Sequence, residues 1–244
     1  MKAMDDAQLH RLPLAFKLGL TLFCAALAFG LLASTVLISQ SLHGEDDLRW
    51  PSLESIRLKY AAAPLERAVR THMAQYLDSP AEAEALVNWC RAGGERTDYY
   101  QFVAPLIDRR CLRCHGGEST RGDVDLSTWG DLAPLSLNRG PTTNELLLSS
   151  HLHLFGIGLL ILVAGALLTR SRWRREIRFG LPLLALFGLL SDIGAWWLSR
   201  HFEAAAVLVL IGGMLMVGGL ATSLGLAVVD MWRPAAQPQS DEAP

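Results

Sequence analysis

The sequence predicts an all-α protein: four transmembrane helices, with a small, mainly helical extracytoplasmic domain between helices 1 and 2. Three observations predict this. Four apolar runs are each long enough to cross a hydrocarbon core of about 30 Å. A single polar stretch is long enough to fold around a core of its own. The densest arginine cluster falls between the second and third runs, where it marks a cytoplasmic loop. Of the 244 residues 51% are apolar, in blocks too long for ordinary core helices, and the net charge of -2 gives no reason to expect nucleic acid as a partner.

Residues 1–17 are a polar lead-in ending at Lys17 and are expected in the cytoplasm. Residues 18–40 form the first run. It exceeds the roughly 7 to 15 residues of a signal-peptide core, and no A-x-A site follows. Cys24 follows Phe23, where a lipoprotein site needs a small residue, so the run reads as an uncleaved signal anchor.

Residues 41–150 form the extracytoplasmic domain. Leu65–Leu77 reads as a helix. Ser79-Pro80 opens another that runs to about Arg91, with Glu82 in its first turn, and Gly93-Gly94 breaks it. Cys90 reads as a small buried hydrophobe. Pro105 opens a short helix over Leu106–Arg113, Gly116-Gly117 ends it, and Gly122–Leu126 reads as a turn. The mixed pattern of Asp125–Leu135 supports no assignment.

Residues 151–169, 179–198 and 204–229 are the remaining spans. The loop 170–178 carries Arg170, Arg172, Arg174, Arg175 and Arg178. Counting spans from an internal N-terminus also puts this loop inside and returns the tail 230–244 to the cytoplasm. Pro182 and the glycines of the fourth run read as helix-packing features rather than a transport route.

The chemistry is concentrated in Cys111-Leu112-Arg113-Cys114-His115. On a helix, positions i, i+3 and i+4 share a face, so two thiols and an imidazole project together. That is what covalent attachment of one haem c requires, with Cys111 and Cys114 as thioether donors and His115 as the proximal iron ligand. Half of a zinc site is the main rival, but Cys24 and Cys90 bring no second ligand pair. A redox dithiol lacks a surrounding β-α-β pattern. The expected topology places the motif on the exported side, where bacteria attach haem c.

The second iron ligand is open. No methionine lies between His115 and the second span. His72, Met73, His151, His153, His201 and His43 are candidates for a distal or second-site ligand, beside an open position. His72 and His43 read equally as solvated polar residues and Met73 as core filler, while His201 is equally a loop residue. His151 and His153, at i and i+2, point to nearly opposite faces, so one helix does not present both to one iron; either is equally an interfacial anchor. Pairing one of them with His201 would hold a haem b. Asp192 is an acidic residue within an apolar run, expected to pair with Arg200 or one of these histidines.

The run Val103–Gly116, with Val124–Thr128 behind it, resembles the monohaem domain of planctomycete-type cytochrome c. The resemblance covers about 40 residues and is specific mainly at C-x-x-C-H. It implies the same roles for Cys111, Cys114 and His115, and it says nothing about the four-span frame. The expected function is a membrane-anchored cytochrome of the bacterial inner membrane, passing single electrons at the periplasmic face to a periplasmic or membrane redox partner. It needs no organic substrate and no catalytic residue. The alternatives are an accessory or quinol-oxidising haem subunit of a larger respiratory complex, or a haem-based gas or redox sensor.

Overall fold

The computed structural model describes residues 8–43, 51–117 and 124–234, and all regular structure among them is helical. Four helices are long and apolar enough to cross a membrane: α1 (Leu14–His43), α9 (Thr143–Thr169), α10 (Arg175–Ser199) and α11 (Ala206–Trp232). Between α1 and α9 lie α2 (Leu53–Tyr60), α3 (Pro64–Arg70), α4 (Pro80–Arg91), α5 (Arg96–Asp98), α6 (Ala104–Arg110), α7 (Leu112–His115) and α8 (Trp129–Leu137).

The long helices outrun the apolar segments that announce them. Helix α9 begins at Thr143 rather than His151 because Thr142 and Glu145 cap it reciprocally, with Thr142 N–H on Glu145 Oε2 at 2.7 Å and Glu145 N–H on Thr142 Oγ1 at 3.2 Å. Helical hydrogen bonding needs no apolar side chains, so it continues into water beyond the hydrocarbon.

The chain divides into two compact units: Met1–Thr35 with Ser149–Asp192 and Ile211–Pro244, and Val36–Leu148 with Ile193–Leu210. In the second unit, Leu86 and Val87 of α4, Leu106 and Ile107 of α6 and Leu132 of α8 seal a core completed by Leu65, Val69, Trp89, Tyr99 and Val103. Helix α4 has the bounds its sequence predicts, from Pro80 to the left-handed Gly93 and Gly94 (φ +101° and +62°).

Three expectations are corrected. The helix expected over Leu65–Leu77 stops at Arg70, where the Thr71 hydroxyl turns back onto the Arg67 carbonyl at 2.8 Å, and a 3₁₀ turn over Ala74–Tyr76 follows. Pro105 lies in the first turn of α6, but the helical path reaches it from α5 through a π turn over Tyr99–Val103 and breaks at Cys111 before Arg113. The stretch without an assignment holds α8, opened by a Thr128–Asp131 capping box whose signal the interior Pro134 obscures. Of the turn expected over Gly122–Leu126, the first two residues lie outside the described residues.

The second unit also includes the end of α10 and the start of α11. Tyr60 stacks on Trp196 with ring centroids 5.7 Å apart and planes 10° apart, and Arg57 pairs with Glu203. Gly140, at φ +65°, lies so close to the Tyr60 carbonyl that no side chain fits, and its N–H donates to the Ala62 carbonyl at 2.9 Å. Glu66 is buried and accepts from Arg91 at 2.5 Å. Burial, reinforced by Glu66, pushes the neighbouring Cys90 thiol up to about 12, so at neutral pH it is an inert core group.

The first unit buries Ser171, Ser223 and Asp230. Arg172 bonds Asp230 Oδ1 at 3.1 Å and also donates to the carbonyls of Asp230, Arg233 and Pro234. Leu9, in a short 3₁₀ turn over Leu9–Arg11, inserts between Ala227 and Met231. Helices α10 and α11 meet backbone to backbone at Gly188 and Gly212, where a Cβ would collide with Met216 N and Asp192 N; of the fourth-span glycines expected to pack, Gly212 and Gly219 do so, while Gly213, Gly218 and Gly225 face open space.

Candidate haem site

The break at Cys111 shapes the motif. Helix α6 ends at Arg110, Cys111 turns the chain, and α7 carries Leu112 to His115. The N–H groups of Cys114 and His115 both donate to the Cys111 carbonyl, at 3.0 and 2.8 Å, so the three functional residues share one turn. Gly116 must follow: a Cβ there would lie 2.7 Å from the Leu112 carbonyl oxygen.

His115 Nδ1 lies 2.9 Å from the Val124 carbonyl oxygen. A carbonyl can only accept, so Nδ1 carries the hydrogen and Nε2 keeps its lone pair for a metal. A contact of this kind fixes the tautomer and orientation of an imidazole that is to bind a metal. The segment bearing Val124 is held in turn by Leu126 N–H on the His115 carbonyl (2.8 Å) and by Gly117 N–H on Ser127 Oγ (3.1 Å). Ser127 hydrogen bonds hold the Asp125 carboxyl below its usual range.

Cys111 and Cys114 are free thiols, both half-buried, and Cys111 and Leu112 pack against the domain core. Burial first, and Glu82 second, hold the Cys111 thiol above its usual range. Arg110 pairs with Asp78 and with Glu82, the latter at 3.0 Å, which fixes the end of α6 against the start of α4. Two unoxidised thiols and an imidazole with a free Nε2 on one turn form the donor set that haem c attachment needs, so the residues present fit that group. Among the described residues no three His, Cys, Asp or Glu side chains converge as for a metal ion, and the rival zinc reading gains no further ligands.

The remaining candidates are scattered. His72 is exposed, its Nδ1 3.1 Å from Thr71 Oγ1, and Met73 is half-buried in the turn before Ala74–Tyr76. His201 is exposed after α10. His151 and His153 belong to the unit that lacks the motif; the His151 ring packs on Phe155 at 4.8 Å, and His153 Nδ1–H donates to the Ser149 carbonyl of its own helix at 2.8 Å. Asp192 is buried, while Arg200 bonds Thr143 Oγ1 and the Arg139 carbonyl. The His43 side chain lies outside the description. Sequence reasoning missed Val124 and Arg110 as supports of the motif. Val124 carries no side-chain signal, because its carbonyl does the work, and the partners of Arg110 are distant in sequence.

Residues 137–238 match the model of a family described as a transmembrane helical domain. No curated protein and no solved structure matches the chain. The chain is a multi-pass membrane protein. The matched segment takes in α9, α10 and α11, and Cys111–His115 lie outside it.

Proposed function

We propose that this protein is a membrane-anchored c-type cytochrome that transfers single electrons through one covalently held haem in the domain between its first two spans. The observation that carries the reading is the His115 Nδ1–Val124 carbonyl contact beside two free thiols on the same turn. Cys111 and Cys114 would hold the haem through two thioether bonds, each thiol adding its S and H across one vinyl double bond. His115 would offer Nε2 to the iron while the Val124 carbonyl holds its ring in place. Haem bound there supplies a one-electron iron couple, with a potential set by axial ligands, hydrogen bonds and burial. The arginines of the 170–178 loop support a topology with that loop in the cytoplasm of a bacterial inner membrane and the haem domain facing the periplasm.

The pyridine haemochrome spectrum of the purified full chain tests this. One haem c per chain, lost in Cys111→Ser/Cys114→Ser, is the expected result, and a protein without haem c overturns it. His115→Ala keeps the thioethers but shifts the spectrum by losing the proximal ligand. An unchanged spectrum would refute the axial assignment.

A further inference from the structure

Four cations from four separate segments belong to the unit that holds the first turn of α9: Lys59 at the end of α2, Arg67 on α3, Arg139 after α8 and Arg200 after α10. Arg200 donates to Thr143 Oγ1 at 3.1 Å and to the Arg139 carbonyl at 3.4 Å. Arg67 lies within electrostatic reach of both Lys59 and Glu145. The Gly140–Ala62 hydrogen bond stitches the Arg139 loop to the end of α2.

The carboxylates nearby are already engaged. Glu54 and Glu203 pair with Arg57, Glu66 with Arg70 and Arg91, and Glu145 accepts from the N–H and hydroxyl of Thr142. Among the described residues, the guanidinium groups of Arg67, Arg139 and Arg200 belong to no ion pair.

Depth identifies the occupant. The apolar run of α9 opens at Leu146, and α10 ends in Trp196, Trp197 and Ser199 beside Arg200. Half-buried Trp197 at the end of an apolar helix marks the headgroup level, which puts Arg200 and its partner Arg139 where lipid phosphates lie. Arginine forks match a phosphodiester better than a point charge does. The geometry points to a collar of Arg67, Arg139 and Arg200, supported by Lys59, that binds the headgroups of anionic phospholipids on the face of the membrane that carries the helical domain. The collar is independent of the haem reading.

The test uses the full chain reconstituted in mixed phosphatidylcholine and phosphatidylglycerol, extracted, and weighed with its retained lipids by native mass spectrometry. The wild type retains phosphatidylglycerol over phosphatidylcholine. Removing each cation lowers that preference roughly fivefold, so Arg67→Gln/Arg139→Gln/Arg200→Gln abolishes it. Arg174→Gln/Arg175→Gln, on the loop between α9 and α10, leaves it intact. An unchanged preference in the triple variant overturns the proposal, as does a preference that follows Arg174 and Arg175. Displacement of the lipid by free inorganic phosphate also overturns it, in favour of a soluble-anion site. Arg139 is exposed, so Arg139→Gln alone keeps the helical circular dichroism of the wild type and shows the single fivefold step even if the triple variant misfolds.

Discussion

The two units bury similar residues and differ in what they leave outside. In the unit that holds the C-x-x-C-H motif, Leu86, Val87 and Leu132 are sealed off completely and the ion pairs of Arg57, Arg70 and Arg110 line the rim. In the other, Phe29 and Phe155 are 73% and 71% exposed, while Asp230 is 1% exposed and Ser223 is buried. The same forces act in both, on different solvents. Water drives apolar side chains inward, whereas hydrocarbon accepts them and leaves polar groups to find one another. The boundary of the second unit follows this logic: it takes in Ile193–Leu210, the ends of α10 and α11 that rise to the headgroups.

Substitutions in each unit test the contrast. The largest effect is expected at Leu132→Ala, about 2–5 kcal/mol in a reversible unfolding titration of the reconstituted protein, because the cavity lies in a water-facing core. Asp230→Ala takes the carboxylate from the half-exposed Arg172, which keeps its backbone carbonyl acceptors, and should cost about 1–3 kcal/mol by the same titration; a loss no greater than that of a surface substitution would show that the pair does not hold the base of α11.

The third prediction concerns pH. The Cys90 thiol has a folded value of about 12, above its ordinary 9.0. A raised value means that the unfolded chain loses this proton first. The stabilisation is therefore complete below pH 9 and is lost as pH rises towards 12. Between those limits wild-type stability should fall by up to about 1.4 kcal/mol per pH unit more steeply than that of Cys90→Ala, and equal slopes would show that Cys90 is wet. The smallest effect is expected at Phe155→Ala, whose side chain faces outward: a change within about 0.5 kcal/mol in lipid. A loss comparable to Leu132→Ala would mean that α9 is covered by protein rather than lipid.

Much of this was legible in the sequence, for physical reasons that differ by region. Runs of apolar residues announce spans by length alone, so all four were readable, and only their ends shifted, where capping by Thr142 and Glu145 replaces hydropathy as the signal. Helix α4 was readable because Pro80, Glu82 and Gly93 act locally. Helix α8 was not, because Pro134 breaks its pattern while tertiary packing of Leu132 holds it together. The thiols and imidazole of the candidate site were readable from spacing. What orients His115 was not, because a backbone carbonyl nine residues on leaves no trace in residue type.

The Leu9 contact bears on how the chain is made. Leu9 packs against Ala227 and Met231, and Trp232 Nε1–H donates to Thr21 Oγ1 at 2.9 Å. The first helix leaves the ribosome long before its base has anything to rest on. Leu167 and the Arg170 carbonyl reach Leu9 first, and only the contacts with Ala227 and Met231 require that synthesis has run through the final span. A chain stalled or cut before Ala227 leaves the side of Leu9 that faces Ala227 and Met231 uncovered and Thr21 without the Trp232 donor.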